Sequence, residues 1–250
     1  MKLATLKNGS RDGKLVVVSR DLTRYTDASF LVPSLQAALD DWRRISPHLA
    51  SLAQSLEVGS VPSARFHEHD AHSPLPRAFQ RVGGGDAIVG PRDAIELAGK
   101  ARDAKVEAAA AVVVADVAMG ASEASALESV ALVVLCVDTV LDGGQIGTSA
   151  LSPVAVTTDE LGAAWDGAVH LPLFAGARTV ASTGSTNFPK LIAEAAAGRS
   201  LIAGAVVRGQ VETLAVSLGD TVRVEMKDKA GHSIFGAIER LVGRFEQPLP

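Results

Sequence analysis

The chain has one cysteine, Cys136, so an internal disulfide is excluded and a reducing compartment, the cytoplasm, is the expected setting. Aromatic residues are scarce: two tryptophans, one tyrosine and seven phenylalanines. Base-stacking platforms for single-stranded nucleic acid are therefore not expected. A basic excess is missing too. Lysine and arginine number 24 against 28 aspartates and glutamates, a net charge of −4, which argues against a nucleic-acid partner. No apolar run approaches the about eighteen residues of a membrane span, and the run Val130 to Val137 reaches only eight. The opening residues lead straight into Asn8-Gly-Ser, so no signal-peptide core is expected. No Gly-x-Gly-x-x-Gly follows a strand, no phosphate-binding loop is present, and no Gly-x-Ser-x-Gly elbow occurs.

What is present is a chain of 250 residues, 47% hydrophobic, long enough for one large domain or two small ones. Leu3–Leu6 and Lys14–Ser19 are expected to form a hairpin across the Asn-Gly and Asp-Gly signals between them. Ser34 is expected to cap a helix that places Leu35, Ala38, Leu39 and Trp42 on one face. A second helix is expected to open at Ser46-Pro47 and stop before Gly59. The proline-bearing loop 58–77 suggests a boundary, giving a small unit at 1–72 and a larger one at 73–250.

In the larger unit, 94–105 could be a helix, whereas Ala110–Val117 and Val130–Asp138 read as buried strands. Ser122 and Thr157 read as helix caps, Thr157 as a capping box with Glu160. Phe188–Ala197 reads as a helix, Thr221–Lys227 as an alternating strand, and 233–238 as its continuation after a turn. Many strands with short helices between them favour an α+β fold over a doubly wound sheet.

Two features carry candidate chemistry. Cys136 lies inside an apolar strand and reads as an inert core thiol. His67, His69 and His72 fall within six residues, with Glu68 and Asp70 between them. They have the right chemistry for a transition metal, but no regular spacing aims their rings, so a solvated linker is expected.

Several segments together resemble one family. They are Met1–Lys7, Gly13–Arg20, Leu35-Gln-Ala-Ala-Leu-Asp-Asp-Trp42 and Pro74–Gln80, then Ser152–Gly162, His170-Leu-Pro-Leu173, Leu218–Met226 and Ser233–Ile238. In that order they resemble the fumarylacetoacetate hydrolase family. The resemblance implies an α+β fold: a small N-terminal α/β domain followed by a mixed β-roll, assembled as a homodimer. It also implies a small-molecule substrate, a β-dicarbonyl or acylpyruvate acid, acted on with Mg²⁺ or Mn²⁺. In this pattern a Glu-x-Glu pair on one strand and an Asp on its neighbour hold the metal. A His–Glu dyad activates water, and a lysine stabilises the oxyanion.

Measured against that pattern, Glu107 matches the first ligand and Asp138 the third, while the second falls on Ala109. The region Phe79–Asp86, which matches the dyad segment, holds only Gln80-Arg-Val-Gly-Gly-Gly85, and no histidine occurs from 73 to 169. No lysine lies between Thr139 and Leu151, and the substrate-contacting turn has become Arg208-Gly-Gln-Val211. The expectation is a diverged enzyme for a small keto-enol substrate, with Glu107 and Asp138 catalytic and Arg208 binding substrate. Isomerisation, cyclisation, decarboxylation and C–C cleavage all stay open. No cofactor is expected, and Mg²⁺ binding at the residual Glu107 and Asp138 positions is expected to be weak or absent. The alternative is a non-catalytic relative that binds a small molecule or a protein partner.

Overall fold

The computed structural model describes residues 1–85, 87–97, 101–141, 146–176, 178–182 and 186–244. Strands Lys2–Leu6 and Lys14–Val18 form the expected antiparallel hairpin, with Lys2 opposite Val18 and Leu6 opposite Lys14. Its turn closes at Gly13, where φ is +64° and a Cβ would lie 2.4 Å from Thr5 Cγ2. Only glycine fits there.

The free edge of Lys2–Leu6 pairs with Val154–Val156 from the far half of the chain. From there the sheet runs through Val130–Val140 and Asp103–Val114 to Ala205–Arg208 and Arg81–Val82. The first strands and the later ones therefore share one 12-stranded sheet. A second sheet of five strands comprises Arg178–Ser182, Pro172–Ala175, Thr221–Met226, Ile238–Arg244 and Ile95–Leu97.

Alternation along the two long strands separates two cores. Val106, Ala108, Ala110 and Val112, with Val133, Leu135 and Val137, face the second sheet and its Val224, Met226 and Ile238. Ala111, Val113, Leu132, Val134 and Cys136 face the opposite way, toward Leu35, Leu39, Leu49 and Leu56 of the helices Leu35–Leu39 and Trp42–Glu57. These strands are buried on both faces, which explains their near-continuous apolar sequence. The architecture is α+β, with the sheets dominating.

Several local expectations need correction. The second helix begins at Trp42, not at Ser46, and carries Pro47 inside it. Burial of Ile45, Leu49, Leu52 and Leu56 on one stripe extends the helix across a proline that local preference would place at its start. Ile95–Leu97 is a strand rather than part of a helix, because it pairs in parallel with Val242–Arg244. Residues 98–100 of that expected helix lie outside the described residues.

Thr157 precedes the short helix Thr158–Leu161 but makes no side-chain cap. Its hydroxyl instead accepts from the Met1 amino group at 2.5 Å, and Glu160 pairs with the same amino group at 3.1 Å. The helix from Phe188 ends at Ala195, and the last strand starts at Ile238 rather than at Ser233.

Candidate functional site

Asp103–Val114 and Val130–Val140 are antiparallel, and their register sets Glu107 opposite Asp138 and Ala109 opposite Cys136. The pleat turns Glu107, Ala109 and Asp138 to the face that carries Ala111 and Cys136. On the other edge of Asp103–Val114, Arg208 ends strand Ala205–Arg208 opposite Ala111, and a new strand starts at Glu212 opposite Ala108. Three residues, 209–211, therefore face two, Ala109 and Ala110. This bulge lets Arg208 lean along the strand toward Glu107. Gly209 N–H donates to the Ala110 carbonyl, and Gln210 N–H donates to the Thr186 hydroxyl, so a threonine from another segment pins the turn.

The two carboxylates and the guanidinium meet. Arg208 Nη1 donates to Glu107 Oε2 at 2.9 Å and also to Asp138 Oδ2. Asp138 is fully buried, whereas Glu107 keeps 21% of its side chain exposed and Arg208 14%. Burial on its own would lower the Arg208 pKa, but Asp138 and Glu107 outweigh it and hold the guanidinium above its ordinary value. The Nε and Nη2 groups of Arg208 have no hydrogen-bond partner among the described residues.

Cys136 Sγ lies 3.3 Å from Asp138 Oδ1. Burial, and then the adjacent Asp138, push its thiol well above the usual range, so it is no nucleophile at neutral pH.

The glycine triplet lies against this cluster. A Cβ on Gly83 (φ +74°) would sit 3.1 Å from Arg208 Nε. One on Gly84 (φ +85°) would sit 3.0 Å from Ser149 Oγ and 3.5 Å from Asp138 Oδ1. Gly85 N–H donates to Ser149 Oγ at 2.7 Å, and Ser149 is itself the cross-strand neighbour of Asp138. Backbone without side chains thus approaches the ion cluster closely, and the Nε edge of Arg208 is left uncovered by a side chain from Gly83.

The sequence reading named Glu107, Asp138 and Arg208 but not their mutual contact, nor the contact with Gly84 and Ser149. The available signals were an arginine closing the apolar run Ala205–Val207 and three consecutive glycines.

The histidine cluster is solvated at His67 and His69, as expected, but its backbone is docked rather than a free linker. Glu68 pairs with Arg92 and accepts from Ala237 N–H, and His72 N–H donates to the Thr5 carbonyl. His69 lies in the short 3₁₀ turn Glu68–Asp70, which this docking holds. Among the described residues no group of three or more His, Cys, Asp or Glu side chains is arranged to hold a metal.

Comparison with known proteins places this fold among solved structures. The profile of fumarylacetoacetase N-terminal domain 2 matches residues 1–77. Maleylpyruvate hydrolase from Sphingobium sp. SYK-6 superposes with a TM-score of 0.75 at 17% identity, covering 98% of this chain and 100% of that one. Residues 1–77 match the N-terminal domain of the fumarylacetoacetase family, and the whole chain shares the fold of this hydrolase. The same hydrolase in complex with manganese(II) and pyruvate superposes at 0.73 over the same shares, again at 17% identity. A probable 2-hydroxyhepta-2,4-diene-1,7-dioate isomerase from Mycobacterium abscessus gives 0.68 at 16% identity, covering 99% of this chain and all of the other. No curated protein matches the chain significantly by sequence. No helix among the described residues is long and apolar enough to cross a membrane.

Proposed function

We propose that this chain acts on a small keto-enol acid, with Arg208 as the carboxylate anchor and Glu107 as the proton-transfer group. The observation that carries the reading is the division of the Arg208 guanidinium. One nitrogen is held by two carboxylates, while Nε and Nη2 have no partner among the described residues, and that outer edge matches a carboxylate or an enolate oxygen in geometry and charge. Asp138, fully buried beneath the guanidinium, positions it. Glu107 is partly exposed and has a second oxygen to exchange a proton with substrate.

Enol-to-keto isomerisation needs only this equipment. Glu107 removes the enol proton, Arg208 stabilises the developing oxyanion, and the proton returns to carbon, so no proton is lost or gained overall. Hydrolysis would require an activated water as well, which a guanidinium does not generate. Isomerisation is therefore favoured over hydrolysis, and decarboxylation of a β-keto acid passes through the same enolate. The expected assembly is a homodimer, with a small unit at 1–72 and a larger one at 73–250 joined through the shared sheet.

The experiment is enol–ketone conversion of phenylpyruvate, followed by ultraviolet absorbance in the presence of EDTA, with pyruvate binding measured by calorimetry. Glu107→Gln should lower turnover by about 10²-fold or more while leaving pyruvate binding intact. Arg208→Lys should weaken binding. Equal turnover by the parent and both variants would remove the catalytic reading. Pyruvate binding without turnover would support the non-catalytic alternative, which the complete burial of Asp138 favours.

A further inference from the structure

By the sequence resemblance, Glu107 and Asp138 match two of the carboxylates that would hold a divalent cation. The residues present do not fit such an ion. Arg208 Nη1 is within hydrogen-bond distance of an oxygen from each carboxylate, so a nitrogen fills the space between them. A divalent cation held by the same two carboxylates would compete with that nitrogen for the space between them. The position facing the same way two residues beyond Glu107 is Ala109, fully buried and without a ligand atom.

We infer that Arg208 and Ala109 are a coupled replacement, the guanidinium for a divalent cation and the methyl group for a third carboxylate. Charge supports the coupling. Three carboxylates around a divalent ion carry a formal charge of minus one, and so do two carboxylates around one guanidinium. Either change alone would shift the charge of this buried cluster, where an uncompensated charge is costly. Both together leave it unchanged.

Gly83 lies against Arg208 and Gly84 against Asp138 and Ser149, so the backbone approaches the cluster closely at both residues.

On this inference Ala109→Glu alone does not create metal affinity. With Arg208 in place, a glutamate at 109 adds charge but opens no space for an ion. The replacement is also independent of the proposed activity, because its readout is metal binding.

The test measures Mn²⁺ binding by electron paramagnetic resonance, and thermal unfolding with and without MnCl₂, for the parent and four variants. The parent and Ala109→Glu should bind no Mn²⁺ at millimolar concentration. Arg208→Gln, whose neutral amide can still donate to Asp138, and Arg208→Ala should gain weak binding and a rise in melting temperature on adding Mn²⁺. Ala109→Glu combined with Arg208→Ala should bind on the order of a hundredfold more tightly than Arg208→Ala, because ligand charge sets affinity. Binding by the parent equal to that of the Arg208 variants would overturn the inference. So would binding by Ala109→Glu alone equal to that of the double variant. Failure of Mn²⁺ to bind or stabilise both Arg208→Gln and Arg208→Ala would overturn it as well.

Discussion

Arg208→Met isolates what the guanidinium does for the fold. Methionine keeps most of the aliphatic stem, so the packing lost is small and the perturbation is chiefly the charge. Asp138, with no exposed side-chain surface, then loses its hydrogen-bonded cation; among the described residues it keeps the Cys136 thiol as a side-chain hydrogen-bond partner and Arg240 as a cation acting without a hydrogen bond. Breaking a buried pair on one side typically costs about 3–5 kcal/mol, against a total stability of about 5–15 kcal/mol. For a chain of this size that corresponds to a fall in melting temperature of roughly 6–20 °C.

Urea denaturation and thermal unfolding would measure it, with Arg208→Met/Asp138→Asn as the companion. A buried neutral amide costs less than a buried unpaired carboxylate, so the double variant should be more stable than the single one. A single variant within about 1 kcal/mol of the parent would refute the buried-pair reasoning. So would a double variant less stable than the single.

Two further outcomes follow from the same geometry. Gly84→Ala should destabilise by about 1–2 kcal/mol, from the left-handed φ of +85° and a Cβ placed 3.0 Å from Ser149 Oγ, and urea denaturation would check it. His72 is half-buried, and burial, followed by repulsion from Lys7, lowers its pKa despite the opposing Asp93. Between that lowered value and the unfolded value of about 6.5, the unfolded chain binds more protons, so stability rises with pH. The His72 contribution is therefore complete above that window and is lost as pH falls through it, and His72→Gln should flatten melting temperature between pH 5 and 8.

The scaffold was legible because its signals are local. Strands buried on both faces read as apolar runs, the hairpin announces itself in Asn8-Gly9 and Asp12-Gly13, and the Ser34 cap forms as spacing requires, accepting from Ala37 N–H at 3.3 Å. Where local preference competed with long-range burial, burial prevailed. Pro47 was absorbed into a helix whose apolar stripe needed the extra turn, and Thr157 gave up capping to bind the Met1 amino group, 156 residues away.

The candidate site was half legible for the same reason. The family resemblance put Glu107 and Asp138 in one site, and one antiparallel register sets them opposite each other. Arg208 could not be joined to them, because its contact depends on one extra residue in a bulge 101 positions from Glu107, and no periodicity encodes that. Losses counted along the sequence therefore looked like four separate deletions. In space, the missing carboxylate, the arginine and the glycine triplet fall on one buried cluster. A cluster that loses a carboxylate and a divalent ion while gaining a fixed cation keeps its formal charge. This kind of change leaves the surrounding sheets intact while altering what chemistry they can support.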